Sequence, residues 1–199
     1  MKRLMKKPRQ FPRRRLILVL ASLGLPLLLT AAPTESPSPR FNFLLITIDT
    51  LRADRVGSYS DRHVPTPQID SLASRGVVFT RAFSHCTTTL PSHASILLGT
   101  TPSYHGVHAN INFVVRGDFL TLAEHLKSFG YSTAAFIGGF PLESRFGLNQ
   151  GFDVYDDRLD WTVPRPGDSG TRRAEAVLAS AVAWLKSARA PWFAWIHLW

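Results

Sequence analysis

The stretch TTTLPSHASILLG, residues 87–99, joins a run of hydroxyl side chains to a proline and then to an apolar segment. Pro91 suits a first helical turn, where its missing N–H has no partner to lose, and Gly99 supplies a stop after Ala94, Ile96, Leu97 and Leu98. A helix is therefore expected to begin at or just after Thr89. Its N-terminus gathers free backbone N–H groups and the positive end of the helix dipole, a setting that favours phosphate or sulfate and eases loss of a hydroxyl proton. Taken alone, Thr87, Thr88 and Thr89 need do no more than cap that helix.

A second stretch gives the threonines another use. NFLLITID, residues 42–49, is a short apolar run ending in a carboxylate and reads as a strand buried on both faces. Open α/β sheets bind ligands outside the carboxyl ends of their parallel strands, so Asp49 is placed at that edge. A hard divalent cation beside the helix start can then be shared by Asp49 and the Thr89 oxygen.

The remaining chain alternates helix and strand signals. Thr66-Pro67 opens a helix through Ile69, Leu72 and Ala73 to Gly76, and Val77 to Phe79 is expected as a short strand. Arg52, Asp54 and Arg55 read as surface ion pairing. Thr121 and Glu124 have capping-box spacing before TLAEHLKSFG, Tyr131 to Ile137 reads as a buried strand, and Gly138-Gly139 as the turn at its end. Residues 171–188 carry apolar side chains at helical spacing, and WFAWIHLW, 192–199, reads as a final buried strand. This order predicts an α/β fold, a mostly parallel sheet flanked by helices. Asp153, Asp156 and Asp157 lack the spacing of an EF-hand and read as solvated turn acids. His63, His85 and His125 read as structural. The single cysteine, Cys86, excludes an intramolecular disulfide and reads as a small buried thiol.

Composition sets the outer bounds. With 199 residues, 45% of them hydrophobic, one globular domain is the most the chain can build. The net charge of +9 is concentrated at the start: residues 1–15 hold eight of the 23 basic residues and no acid, leaving 15 basic against 14 acidic residues beyond. That near-neutral remainder argues against a nucleic-acid partner. The basic flank leads into LILVLASLGLPLLLTAA, 16–32, expected as an apolar helix serving as export signal or membrane anchor, with the rest of the chain outside the cytoplasm, periplasmic or extracellular. Three parts follow: 1–32 as flank and signal or anchor, 33–40 (PTESPSPR) as linker, and 41–199 as the globular part.

Four strings, LLITIDTLRAD (44–54), TPQIDSLASRGVVFTRAF (66–83), TLPSHASILLGTTPSYHGVHAN (89–110) and TAAFIGGFPLESRFGLNQGFDVYDD (133–157), resemble in order and spacing the N-terminal half of a sulfatase-family protein of the alkaline-phosphatase superfamily. The resemblance covers 41–199 and implies an alkaline-phosphatase-like sheet and a divalent cation, calcium or, for a phosphoesterase, zinc or manganese. It implies hydrolysis of sulfate or phosphate esters, on small molecules or on glycans or lipids. Thr89 falls on the family's nucleophile, His93 on the arginine that braces it, Ser92 on the serine between, and Asp49 and Thr50 on a pair of metal-binding aspartates. His105 and His108 lie in the following loop, which faces the family's site, and can bind substrate or protonate a leaving group. Two departures stand out. The family pattern Cys-x-Pro-Ser-Arg, whose cysteine becomes formylglycine, is here Thr89-Leu90-Pro91-Ser92-His93, and the second aspartate is Thr50. In the family, further metal ligands and an active-site histidine follow the segment resembling 192–199, so the chain is expected to be an incomplete N-terminal portion, inactive by itself. The alternative expectation is a membrane-tethered, non-catalytic remnant.

Overall fold

Four short strands form the sheet, and their order places the two stretches above side by side. The computed structural model describes residues 40–60, 65–162 and 170–199. The basic flank, the apolar 16–32 segment and nearly all of the 33–40 linker lie outside the described residues. In chain order the elements are β1 (Phe43–Ile48), α1 (Pro67–Ala73), α2 (Thr89–Leu98), α3 (Pro102–His105), α4 (Leu122–Ser128), β2 (Ser132–Phe136), β3 (Val154–Asp156), α5 (Ala174–Leu185) and β4 (Trp192–Leu198), with short 3-10 turns between. The strands run β1-β4-β2-β3 across the sheet, every neighbouring pair parallel. No helix of the described residues is long and apolar enough to cross a membrane.

Strand alternation sorts the core into two layers. Phe193 and Trp195 of β4 meet Leu90, Ala94 and Leu97 of α2 on one face, spaced four and three apart along that helix. Ile196 of β4, with Ala134 and Phe136 of β2, meets Val177 and Ala181 of α5 on the other. Leu90 and Leu97 are almost wholly buried, worth about 1.5–3 kcal/mol each, so α2 is fixed firmly on the sheet. Gly99, at φ 63°, ends α2 in the left-handed conformation that glycine adopts without cost. The capping box of α4 forms as its spacing predicts: Thr121 Oγ1 accepts from Glu124 N at 3.0 Å, and Glu124 Oε2 accepts from Thr121 N at 2.8 Å.

Four expectations are corrected. Among the described residues β1 is an edge strand, not one buried on both faces: Leu44, Ile46 and Ile48 are 42–49% exposed, because α5 packs chiefly on β2 and β4. Val77 to Phe79 forms no strand, and Val77 and Phe79 point to solvent. Asp156 is no solvated turn acid; it ends β3 buried between Arg158 and Arg172. Cys86 is only partly buried.

Candidate active site

Parallel pairing of β1 with β4 sets Thr47 beside His197, and the chain continues in register, Asp49 N donating to Leu198 O at 2.9 Å. Alternation puts Asp49 on the same face as Thr47, and His197 on the same face as Trp195, which is the face α2 covers. Asp49, His197 and the first turn of α2 therefore converge at the carboxyl end of the sheet. A cleft of about 500 Å³ opens there, lined by Asp49, Thr50, Cys86, Thr89, Ser92 and His93 among others.

The carboxyl group of Asp49 is held below its usual range, chiefly by the side chain of His197; partial burial opposes the shift and the nearby Thr89 hydroxyl adds to it. His197 Nε2 stands 3.5 Å from Asp49 Oδ2, a long contact for a hydrogen bond. His93, 6% exposed, directs Nδ1 to the backbone oxygen of Thr89 at 2.8 Å. A carbonyl only accepts, so Nδ1 carries the proton. Burial, reinforced by the neighbouring His197 ring, pushes the His93 imidazole down to about 4, leaving it neutral at pH 7.

The start of α2 is less open to an anion than its sequence implies. Thr88 is the N-cap residue but makes no side-chain cap bond; Asn110 Oδ1 takes the Leu90 amide at 2.8 Å, Pro91 has none, and Ser92 N donates to Thr88 O at 3.1 Å. Of the first four positions only the Thr89 amide is left for an incoming oxyanion. Ser92 instead pairs its hydroxyl with that of Ser84 at 2.9 Å. Thr50 sits at φ 53°, uncommon for a β-branched residue, and turns the chain sharply as it leaves Asp49. Cys86 joins the cleft, its thiol pKa lowered chiefly by the Thr88 hydroxyl 3.3 Å away.

His105 and His108 stand apart from this group. His105 is buried with both nitrogens used, Nε2 against Ser95 Oγ at 3.0 Å and Nδ1 accepting from Val107 N at 3.1 Å. His108 is exposed and packs its edge on Phe113. His197 was not among the residues the sequence singled out. The signal was present, since alternation along WFAWIHLW sets His197 on one face with Phe193 and Trp195, but its importance depends on which strand lies next to β4.

For a hard cation the donors fit in kind but not in number. Asp49 lines the cleft with the Thr89 hydroxyl close by, while its Oδ2 is buried on the His197 side without a hydrogen-bond partner. Among the described residues, however, no group of three or more His, Cys, Asp or Glu is arranged to hold a metal.

The parallel sheet flanked by helices matches alkaline-phosphatase-like structures. A protein of that superfamily from Vibrio parahaemolyticus superimposes with a TM-score of 0.61 at 25% identity, over 80% of this chain and 40% of that one. A 2-O GAG sulfatase superimposes with a TM-score of 0.65 at 26% identity, over 80% of this chain and 35% of its own. The sulfatase family model matches residues 41–199, and the chain belongs to the sulfatase family. Iduronate 2-sulfatase of Mus musculus is 36% identical over 113 residues, 52% of this chain and 19% of that protein. The chain thus spans well under half the length of these relatives.

Proposed function

We propose that this chain carries the nucleophile half of a cation-assisted hydrolase of sulfate or phosphate esters. The observation that supports the reading is the shared cleft of Asp49 and Thr89 at the tip of β1 and the start of α2. Thr89 gives up its hydroxyl proton to solvent and Oγ1 bonds to sulfur or phosphorus, the ester oxygen leaves with the electron pair of the broken bond and takes a proton from water, and water then hydrolyses the threonyl ester. Asp49 and Thr89 offer two oxygens to a divalent cation, which when bound lowers the hydroxyl pKa and offsets charge on the ester oxygens. The Thr89 amide stabilises a non-bridging oxygen, and His93 fixes the Thr89 carbonyl and with it the orientation of the nucleophile.

An unmodified threonine forms an ordinary covalent ester and offers no geminal-diol route, which favours phosphoryl over sulfuryl transfer. Calcium suits a sulfate ester reading and zinc or manganese a phosphate one. The basic flank and apolar segment at 1–32 support export or membrane anchoring, with the site outside the cytoplasm. A non-catalytic remnant is the second reading, favoured by the lack of a three-residue metal group among the described residues.

The test is Thr89→Ala in the full-length protein, with nitrophenyl sulfate and nitrophenyl phosphate as substrates and calcium, manganese or zinc supplied. Turnover by the parent should fall roughly a thousand-fold or more in the variant. Unchanged turnover removes Thr89 from the chemistry, and a parent with no turnover under any ion supports the remnant.

A further inference from the structure

Buried polar side-chain atoms without a hydrogen-bond partner are few among the described residues, and they cluster. Of six such atoms, four are Asp49 Oδ2, His93 Nε2 and both ring nitrogens of His197; the other two, Glu143 Oε2 and Arg172 Nη1, belong to ion pairs with Arg145 and Asp156. His197 has no exposed surface at all. A buried imidazole left unpaired costs about 1–3 kcal/mol for each lost partner, so an apolar residue would stabilise β4 better. The neighbouring positions on that strand face are indeed apolar, Phe193 and Trp195.

The geometry shows what the ring does at that cost. Nε2 lies 3.5 Å from Asp49 Oδ2, and the ring makes a T-shaped contact with that of His93, centroids 4.9 Å apart. His93 in turn holds the Thr89 backbone oxygen. His197 thus touches both residues that orient the start of α2 and the tip of β1, from a strand that belongs to neither.

We infer that His197 is a positioning residue: its Nε2–H faces Asp49 Oδ2 and fixes the carboxylate, while its ring edge holds His93 against Thr89. With Oδ2 beside His197, Asp49 still lines the cleft, and the Thr89 hydroxyl lies close to its carboxylate. The proton sits on Nε2, since a lone pair there would repel the carboxylate. The inference rests on the proposed cation role of Asp49 in one arm of its test only.

In that arm Mn²⁺ affinity of the full chain is measured by the EPR signal of free ion, for the parent, His197→Phe and His197→Gln. Phenylalanine keeps the ring and removes the donor; glutamine carries an amide N–H about as far out as Nε2. His197→Phe should weaken Mn²⁺ binding about 10–100-fold, and His197→Gln should recover most of the loss, with both variants folded by circular dichroism. Equal affinity in parent and Phe variant, or a Gln variant as weak as Phe, overturns the inference.

The other arm needs no metal. In the ¹⁵N-histidine-labelled, metal-free chain at pH 8, His197 should be the Nε2–H tautomer, and Asp49→Asn should shift its Nε2 resonance. An Nδ1–H tautomer, or a resonance indifferent to Asp49→Asn, refutes the positioning role. If the parent binds no Mn²⁺, the cation of the proposed function fails and the tautomer result alone decides the role of His197.

Discussion

Replacing Asp156 with Asn tests how the far side of the sheet is held, and its size can be worked from the contacts. The Asp156 carboxylate is 8% exposed and takes two bonds from Arg158, at 2.7 and 2.8 Å, and one contact from Arg172 at 3.0 Å. Its pKa lies far below the usual carboxylate range, chiefly through Arg158, with Arg172 adding and burial opposing. The two arginines differ in what they lose. Arg158 is 78% exposed and returns to water at little cost, whereas Arg172 is 11% exposed and would keep only neutral acceptors on α5, Ala176 O at 2.9 Å and Ser180 Oγ at 2.6 Å. Stranding a charge in a buried pair costs about 3–5 kcal/mol; the two remaining bonds reduce this to about 2–3 kcal/mol at pH 7. Because the folded pKa is depressed, the stabilisation is present above the unfolded value near 3.9 and is lost as pH falls through the folded one. Urea unfolding should therefore show Asp156→Asn weaker than parent at pH 7, with the gap closing progressively below about pH 4. Arg158→Ala should cost under about 0.5–1 kcal/mol. A gap below about 0.5 kcal/mol at pH 7, or one unchanged at pH 2, would refute the assignment to a buried Arg172 pair.

Two further outcomes follow from local contacts. Thr121→Ala removes a cap that accepts from Glu124 N and donates to Gln150 O at 3.0 Å, and should cost about 1–2 kcal/mol in urea unfolding; an unchanged midpoint would mean that α4 is held by packing alone. Cys86, the only cysteine, lines the cleft with its thiol pKa lowered by Thr88, so iodoacetamide should label it in the folded chain and Thr88→Val should slow that labelling at pH 7; equal rates would refute the influence of the hydroxyl.

How much of this was legible beforehand depended on sequence distance. Helix starts are local, so Pro91, Gly99 and the Thr121–Glu124 box could be read directly, and apolar runs gave β2 and β4. Burial on each face of a strand is not local. NFLLITID has the composition of a central strand but lies at the sheet edge, which only the order β1-β4-β2-β3 reveals. Asp156 was misread for the same reason: its partner Arg172 lies across the loop that leads to α5. At the site, Asp49 and Thr89 could be paired through the rule that ligands bind at strand ends, whereas His197 required knowing that β4 lies directly beside β1. His105 misled because a loop histidine looks free until Ser95 and Val107 are seen to occupy both nitrogens.

Charge gives the cleft its remaining logic. Among the residues lining it, Asp49 is the only one that is charged at neutral pH: His93 is held neutral by burial, and the others are threonines, serines, apolar residues and Cys86. The position that matches a permanently charged arginine in the family therefore contributes no positive charge here. A sulfate or phosphate ester carries at least one negative charge, and at about 4 Å from the Asp49 carboxylate it would meet a repulsion of about 4 kcal/mol at an effective dielectric constant of 20. One free helix amide, worth about 1.5–3 kcal/mol as a charge-assisted donor, does not offset that. The cleft formed by these residues is thus suited to a cation before it is suited to an anion. Under the proposed function, an ester substrate would enter only once positive charge has been added beside Asp49, and that requirement ties the carboxylate to the threonine as one site.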